Sequence, residues 1–132
     1  MIRPCIIADL PWMLEVAHKT FPEFDPVGGV EAFKRLIGTD QVFIVRGEHG
    51  WILAFFEKTP WQKYASTFVE LVALDKSRQS IIEMLDIIKY VKKLGEEKGA
   101  TKMRLAALDV VGNLGCFVKR LNGREIGKLW EI

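Results

Sequence analysis

The residues best suited to chemistry lie in one segment, which runs from Glu70 to Glu83. It begins with an apolar run typical of a buried strand, passes through a short polar loop and enters a long amphipathic helix. Exposed N–H groups at the start of such a helix can hold a phosphate. The segment therefore predicts an anion-binding loop at the start of the helix, with the carboxylate of Glu70 at the entry to the strand before it.

The same segment predicts a competing structure at the start of the helix. Ser80 and Glu83 have the spacing of an S-x-x-E capping box, in which each side chain accepts from the other residue's backbone N–H. A phosphate would need some of the same N–H groups. A carboxylate in the first turn stabilises a helix by about 0.3–1 kcal/mol, and its charge would repel a phosphate. The sequence leaves open whether this helix end caps itself or holds a ligand.

Periodicity and turn signals define the elements around this segment. Asp9 is expected to cap the first helix, and Gly47-Glu48-His49-Gly50 is a hairpin signal. The central helix carries an apolar stripe of Ile81, Met84, Leu85, Ile88 and Val91, widened by Ile82, Ile87 and Leu94. The predicted strands are 2–7, 41–46, 51–58, 67–74, 102–108 and 124–132. The predicted helices are about 10–21, 30–37, 81 to 95 or 99, and 112–121.

This order predicts an α/β (α+β) fold, with a mixed, mostly antiparallel sheet flanked by about four helices. The fourth and fifth strands are joined through the central helix, so they should form a parallel pair. The length of 132 residues fits one domain, residues 1–132. A final strand without a partner could serve in a homodimer.

Composition excludes several classes of protein. The chain is 49% apolar and 27% charged, which is ordinary for a globular domain, and its net charge of +2 is scattered rather than gathered as for nucleic acid. No apolar run approaches the roughly 20 residues that span a bilayer, so no membrane partner is expected. Cys5 and Cys116 form no disulfide framework, which predicts a cytoplasmic location, and no metal-ligand spacing occurs.

Four stretches, in order and without gaps, resemble the GNAT superfamily of acyl-CoA-dependent N-acetyltransferases. Residues 2–10 are similar to the family's opening strand and helix, and residues 70–78 to its fourth strand and the arginine of its phosphate loop. Residues 97–105 are similar to its passage into the fifth strand, and Asn113 stands where the family often carries an asparagine. The resemblance covers essentially the whole chain.

The resemblance implies that acetyl-CoA binds between the fourth and fifth strands and that an amine, on a small molecule or a peptide, accepts the acetyl group. Glu70 would be the catalytic base. No tyrosine follows Asn113 to serve as proton donor; Arg120 or Val118 falls near that place, and Cys116 could substitute. The family's loop is Arg-x-x-Gly-x-Gly/Ala, and this chain carries Ile81 and Glu83 at the glycine positions. The implied cofactor residues are Leu71, Val72, Ala73 and Leu74 for pantetheine, Arg78, Gln79, Ser80, Ile81, Ile82 and Glu83 for the pyrophosphate, and Asn113.

Two functional hypotheses follow. The first is an N-acetyltransferase that uses acetyl-CoA. The second is a GNAT-like protein that has lost catalysis and acts as a binding or structural module, since residues 111–119 also resemble compact GNAT-like phage proteins, some of them virion components. Trp61 and Tyr64, in the loop before the fourth strand, could bind a substrate or partner or could pack onto the domain edge.

Overall fold

The computed structural model describes residues 1–105. Within this range a three-residue 3₁₀ turn, Ile7–Asp9, precedes the first helix. The predicted helix 112–121 and strand 124–132, together with Asn113, lie outside the described residues. The elements are β1 (Arg3–Pro4), α1 (Leu10–Thr20), α2 (Pro26–Leu36), β2 (Val42–Arg46), β3 (Gly50–Glu57), β4 (Ser66–Leu74), α3 (Arg78–Glu97) and β5 (Lys102–Leu105).

The five strands form one sheet in the order β1-β2-β3-β4-β5. The pairs β1–β2, β2–β3 and β3–β4 are antiparallel, whereas β4 and β5 are parallel, with Ser66 opposite Lys102 and Val69 opposite Leu105. A parallel pair needs a crossover connection, which α3 supplies. The predicted mixed sheet with its parallel fourth and fifth strands is confirmed.

Helices α1 and α2 cover one face of the sheet. Trp51, on β3, is fully buried there, donates its indole N–H to the Met13 carbonyl at 3.0 Å and meets the Phe33 ring edge-on at 5.1 Å. Burying an aromatic side chain of this kind contributes about 1.5–3 kcal/mol. The buried residues of this layer are Cys5, Leu10, Met13, Val16, Ala17, Phe33, Ile44, Trp51, Leu53 and Ala73.

Helix α3 covers the other face, and its buried stripe differs from the predicted one at its N-terminal end. Ile81 and Ile82 are 50% and 66% exposed, and the stripe instead begins at the fully buried Ser80. At 100° per residue, Ile82 points about 160° away from Met84, so it cannot share the sheet-facing side. The buried residues of this layer are Phe43, Val45, Ile52, Ala54, Val69, Val72, Leu74, Met84, Ile87, Ile88 and Val91.

The expected capping role of Asp9 is wrong, because its side chain makes no cap hydrogen bond to α1. The buried carboxylate instead accepts two hydrogen bonds from Arg3 at 2.8 Å, one from Arg46 at 2.9 Å and one from the Ile6 N–H. These bonds, the Arg3 bonds foremost, hold the pKa of Asp9 well below its usual range although burial acts in the opposite direction. Asp9 therefore ties the start of α1 to β1 and β2.

Helix α2 begins earlier than predicted. The predicted helix starts at about residue 30, but Pro26 is already the first residue of α2 and the Asp25 carboxylate accepts from the Val27 N–H at 3.0 Å. Proline fits the first helical position because its missing N–H would have no partner there. The predicted first strand is likewise shorter, since only Arg3–Pro4 pairs with β2.

Candidate functional site

Strand β4 is irregular at its centre, and Glu70 is the residue that makes it so. Leu71 lies opposite Leu53 and Val69 lies opposite Ala54, so Glu70 is an extra residue in β4 and forms a β-bulge. Its side chain is exposed. Bulges re-aim side chains and are common beside active sites. The described pairing of β4 with β5 runs as far as Val69, so the predicted base lies just past it.

Beyond the bulge, the backbone N–H and C=O groups of successive β4 residues point alternately towards β3 and towards the outer edge of the strand. Leu74 lies opposite Gly50, but its N–H donates to the Thr20 hydroxyl at 2.7 Å and its carbonyl accepts from that hydroxyl at 2.9 Å. Leu74 therefore faces away from β3. Alternation in an antiparallel pair gives Val72 the same direction, and Ala73 and Leu71 the direction of β3. Only two of the four predicted pantetheine residues thus face the outer edge of β4.

Ser77, not Ser80, caps α3, so the predicted capping box is wrong. The Ser77 hydroxyl accepts from the Ser80 N–H at 3.2 Å, and Ser80, the third residue of the helix, donates its own hydroxyl to the Ser77 carbonyl at 2.6 Å. Ser80 is fully buried. A ligand would have to displace these bonds to use Ser80 as a donor.

Glu83 binds a different partner from the predicted one. Its carboxylate reaches the turn between β2 and β3, where it accepts from the Glu48 N–H at 2.8 Å and the His49 N–H at 2.9 Å. A Cβ added at Gly47 would overlap this carboxyl group. The glycine therefore leaves room for Glu83, and the negative charge is turned towards the hairpin instead of the Ser80 N–H.

A second set of bonds joins the same hairpin to the loop before α3. Asp75 accepts from Ser77 through Oδ1, and its Oδ2 lies 2.9 Å from Nδ1 of His49. Burial alone would raise the pKa of Asp75, but the hydrogen bonds from Ser77 and His49 hold it below its usual value. The aspartate stands between the serine and the histidine, so this is not a nucleophile–base arrangement. The bonds of Asp75 stiffen the loop between β4 and α3, in which Lys76 adopts a left-handed conformation with φ 65°.

The donors that stay accessible at the start of α3 belong to Arg78 and Gln79, both of which are exposed. They are the first two residues of the helix, so their N–H groups have no partner within it. Their neighbours Ile81 and Ile82 present apolar side chains on the same turn. An anion at this helix end would therefore rest on Arg78 and Gln79.

Trp61 and Tyr64 do not pack onto the domain edge, since they are 83% and 54% exposed. They precede β4, at the end of the sheet opposite the β2–β3 turn.

In residues 1–105, no three His, Cys, Asp or Glu side chains are grouped in a way that could hold a metal ion. Over the same range, no helix combines the length and apolarity that crossing a membrane requires.

No protein-family model matches this sequence, and no curated protein sequence does so either. Solved structures do match, over all of this chain. A candidate acetyltransferase from Agrobacterium tumefaciens strain C58 superposes with a TM-score of 0.82 at 13% identity, and 98% of its chain is covered. A transcriptional regulator from Bacillus halodurans C-125 gives a TM-score of 0.80 at 15% identity, with 97% covered. The aminoglycoside N-acetyltransferase AAC(6')-Iy, in complex with CoA, gives 0.78 at 16% identity, with 92% covered.

The chain therefore has the fold of the GNAT acetyltransferases. Identities of 13–16% establish the fold alone, and the regulator among the three illustrates that a shared fold does not define a shared activity. These comparisons do not bear on the resemblance to phage proteins, which stays a prediction.

Proposed function

We propose that this protein is an acyl-CoA-dependent N-acetyltransferase, which transfers an acetyl group from acetyl-CoA to an amine. The observation that carries the proposal is the bulge in β4, which exposes the carboxylate of Glu70 beside the parallel β4–β5 pair. The likeness to a solved N-acetyltransferase in complex with CoA supports it.

In the proposed reaction the amine nitrogen attacks the thioester carbonyl carbon, and the C–S bond breaks as the new C–N bond forms. Glu70 takes the proton that the attacking nitrogen releases, directly or through one water, and the departing thiolate leaves as the free thiol once protonated. Among residues 1–105 we assign no donor for that last proton. A positioned general base contributes typically 10²–10⁴-fold to such a rate, so Glu70 is the residue whose loss should cost most.

The proposed acyl-CoA site has two parts. Pantetheine would pair with the β4 backbone within the segment Leu71–Leu74, and the phosphates would lie at the segment Arg78–Glu83, chiefly against Arg78 and Gln79, whose side chains are exposed. Glu83 is compatible with a bound phosphate because its charge is held by the hairpin N–H groups. Asn113 remains a predicted member of the site.

A coupled assay of thiol release from acetyl-CoA, run over a panel of small-molecule and peptide amines, tests the proposal. We expect amine-dependent release in the natural protein and a loss of about 10²–10⁴-fold in kcat in Glu70→Gln. Glu57→Gln is the matched control, because Glu57 ends β3 opposite Ser66, at the far end of the sheet, and should keep full activity. Equal activity in Glu70→Gln would overturn the role of Glu70.

The alternative is a GNAT-fold protein that no longer binds acyl-CoA and acts as a binding or structural module. One observation favours it: backbone groups that a ligand would need are already bonded within the protein. Leu74 is bonded to Thr20, and the Ser80 N–H to Ser77. Thermal unfolding with and without acetyl-CoA separates the two proposals. A ligand at 100 times its Kd adds about 2.7 kcal/mol to stability, whereas no shift at millimolar acetyl-CoA would favour the alternative.

A further inference from the structure

Thr20, the last residue of α1, occupies the outer edge of β4. Its hydroxyl both accepts from the Leu74 N–H at 2.7 Å and donates to the Leu74 carbonyl at 2.9 Å, as a strand partner's backbone would. Thr20 is 2% exposed and Leu74 is 6% exposed, so both bonds are sheltered from water. The hydroxyl also lies 3.4 Å from the Val16 carbonyl, within its own helix.

These contacts restrict what a ligand can do along the strand. A chain that added itself to the edge of β4 would pair with Leu74 and Val72, the residues that face outwards, because Ala73 and Leu71 face β3. The N–H and the carbonyl of Leu74 are both already bonded to the Thr20 hydroxyl. A ligand amide that paired with both backbone groups of Leu74, as a strand partner does, would have to replace both bonds to Thr20.

We propose that the Thr20 hydroxyl closes the edge of β4 at Leu74 and so restricts the amide pairing of an acyl-pantetheine ligand to Val72. Thr20 is then a positioning residue, because it acts on the ligand through the backbone of β4. This inference rests on the proposed function, in that it concerns how the same site takes its acyl donor.

Two substitutions test the Thr20 hydroxyl. Thr20→Ala removes the hydroxyl and opens its place beside Leu74, whereas Thr20→Ser keeps the hydroxyl. Thr39→Ala is the control for a threonine truncated elsewhere, since the exposed Thr39 hydroxyl donates to the Arg35 carbonyl near the end of α2 at 3.0 Å. Pantetheine, which carries no phosphate, and CoA are the two probes. Amide NMR of Val72 and Leu74 follows the strand edge, and calorimetry gives the affinities.

In the natural protein and in Thr20→Ser we expect both probes to perturb the Val72 amide while the Leu74 amide stays protected from exchange. In Thr20→Ala the freed Leu74 groups should bond to the ligand, with a Kd about tenfold lower, as two recovered hydrogen bonds allow. Thr39→Ala should match the natural protein. A Leu74 amide that bonds to the ligand in the natural protein, or a Thr20→Ala Kd no lower than that of Thr20→Ser, would overturn the inference and leave the proposed function intact.

A failure of the proposed function would give a different set of binding results. If Thr20→Ala binds CoA while the natural protein and Thr20→Ser do not at millimolar concentration, the natural chain is not an acyl-CoA enzyme and the closing role of Thr20 is supported. If no variant binds either probe, both the function and the inference fall.

Discussion

Glu83 lies against Gly47, at a distance that a side chain on the glycine would not permit. The carboxylate on α3 takes two backbone N–H groups from the turn between β2 and β3, and an added Cβ at Gly47 would overlap it. A glycine and a glutamate 36 positions apart in the sequence thus depend on each other. Their contact joins the start of the central helix to the hairpin on the other side of the proposed phosphate loop.

The first prediction tests this dependence. Glu83→Ala should destabilise the fold by about 2 kcal/mol, because hydrogen bonds to a charged group are worth about 1.5–3 kcal/mol. Gly47→Ala should cost a similar amount in the natural background, since the carboxylate must leave the turn. In the Glu83→Ala background it should cost little, and a denaturant-based double-mutant cycle measures the difference. Additive costs would contradict the contact.

The second prediction concerns Asp9 and acid. The folded-state pKa of Asp9 lies below its usual value, so the stability it contributes is present above the unfolded-state pKa of about 3.9 and is lost as the pH falls below it. Asp9→Asn should reduce the free energy of unfolding near pH 7 by about 3 kcal/mol, as expected when one partner of a buried pair is removed. The difference in the free energy of unfolding between the natural protein and Asp9→Asn should narrow as the pH falls.

Urea unfolding between pH 7 and pH 2 measures this gap. Glu15→Gln is the control, because Glu15 forms an exposed ion pair with Lys19 at 3.8 Å and such pairs contribute little. A pH-independent gap for Asp9→Asn would show that the carboxylate is not held by Arg3 and Arg46.

The third prediction reverses the usual effect of replacing glycine in a helix. Alanine normally stabilises a helix interior by about 1 kcal/mol relative to glycine. At Gly95 of α3, an added Cβ would overlap the buried hydroxyl of Thr67 on β4. Gly95→Ala should therefore destabilise by about 1–3 kcal/mol through overpacking. In a Thr67→Ala background the same change should cost less, and thermal unfolding of the four proteins tests it.

The fourth prediction concerns the thiol of Cys5. Burial, together with the charge of Asp9, raises its pKa to about 12, so almost none is thiolate at neutral pH. In a Cys116→Ser variant, a thiol reagent at pH 8 should label Cys5 slowly in the folded protein and rapidly in urea. Equal rates in both conditions would mean that the β1 region opens readily.

The order of the elements could be predicted from the sequence because each depends on local signals. The apolar period of β4 and α3 and the glycines of the β2–β3 turn all act within a few residues. The parallel β4–β5 pair followed from the crossover through α3. The role predicted for Arg78 came from the resemblance of residues 70–78 to the GNAT superfamily, and the structure places Arg78 as the first residue of α3.

The partners of charged side chains could not be predicted in this way. Asp9 and Glu83 each have the local context of a helix cap, yet each binds groups brought near by the folded sheet, Arg46 for one and the Glu48 N–H for the other. The contact between Thr20 and Leu74, 54 positions apart, has no local signal either. Long-range backbone donors carry no mark in the sequence, because every residue type except proline has them.

The bulge at Glu70 has a consequence for the inheritance of the site. A bulge absorbs one extra residue, so the side chains on either side of it keep their faces although the numbering changes parity. Val69 belongs to the α3 layer at an odd position, and Val72 and Leu74 belong to it at even positions. Deleting Glu70 would therefore leave a regular strand with the same residues towards α3, and would remove only the bulge and its carboxylate. The packing of β4 does not require a residue at position 70, so the presence of the extra residue itself calls for a function.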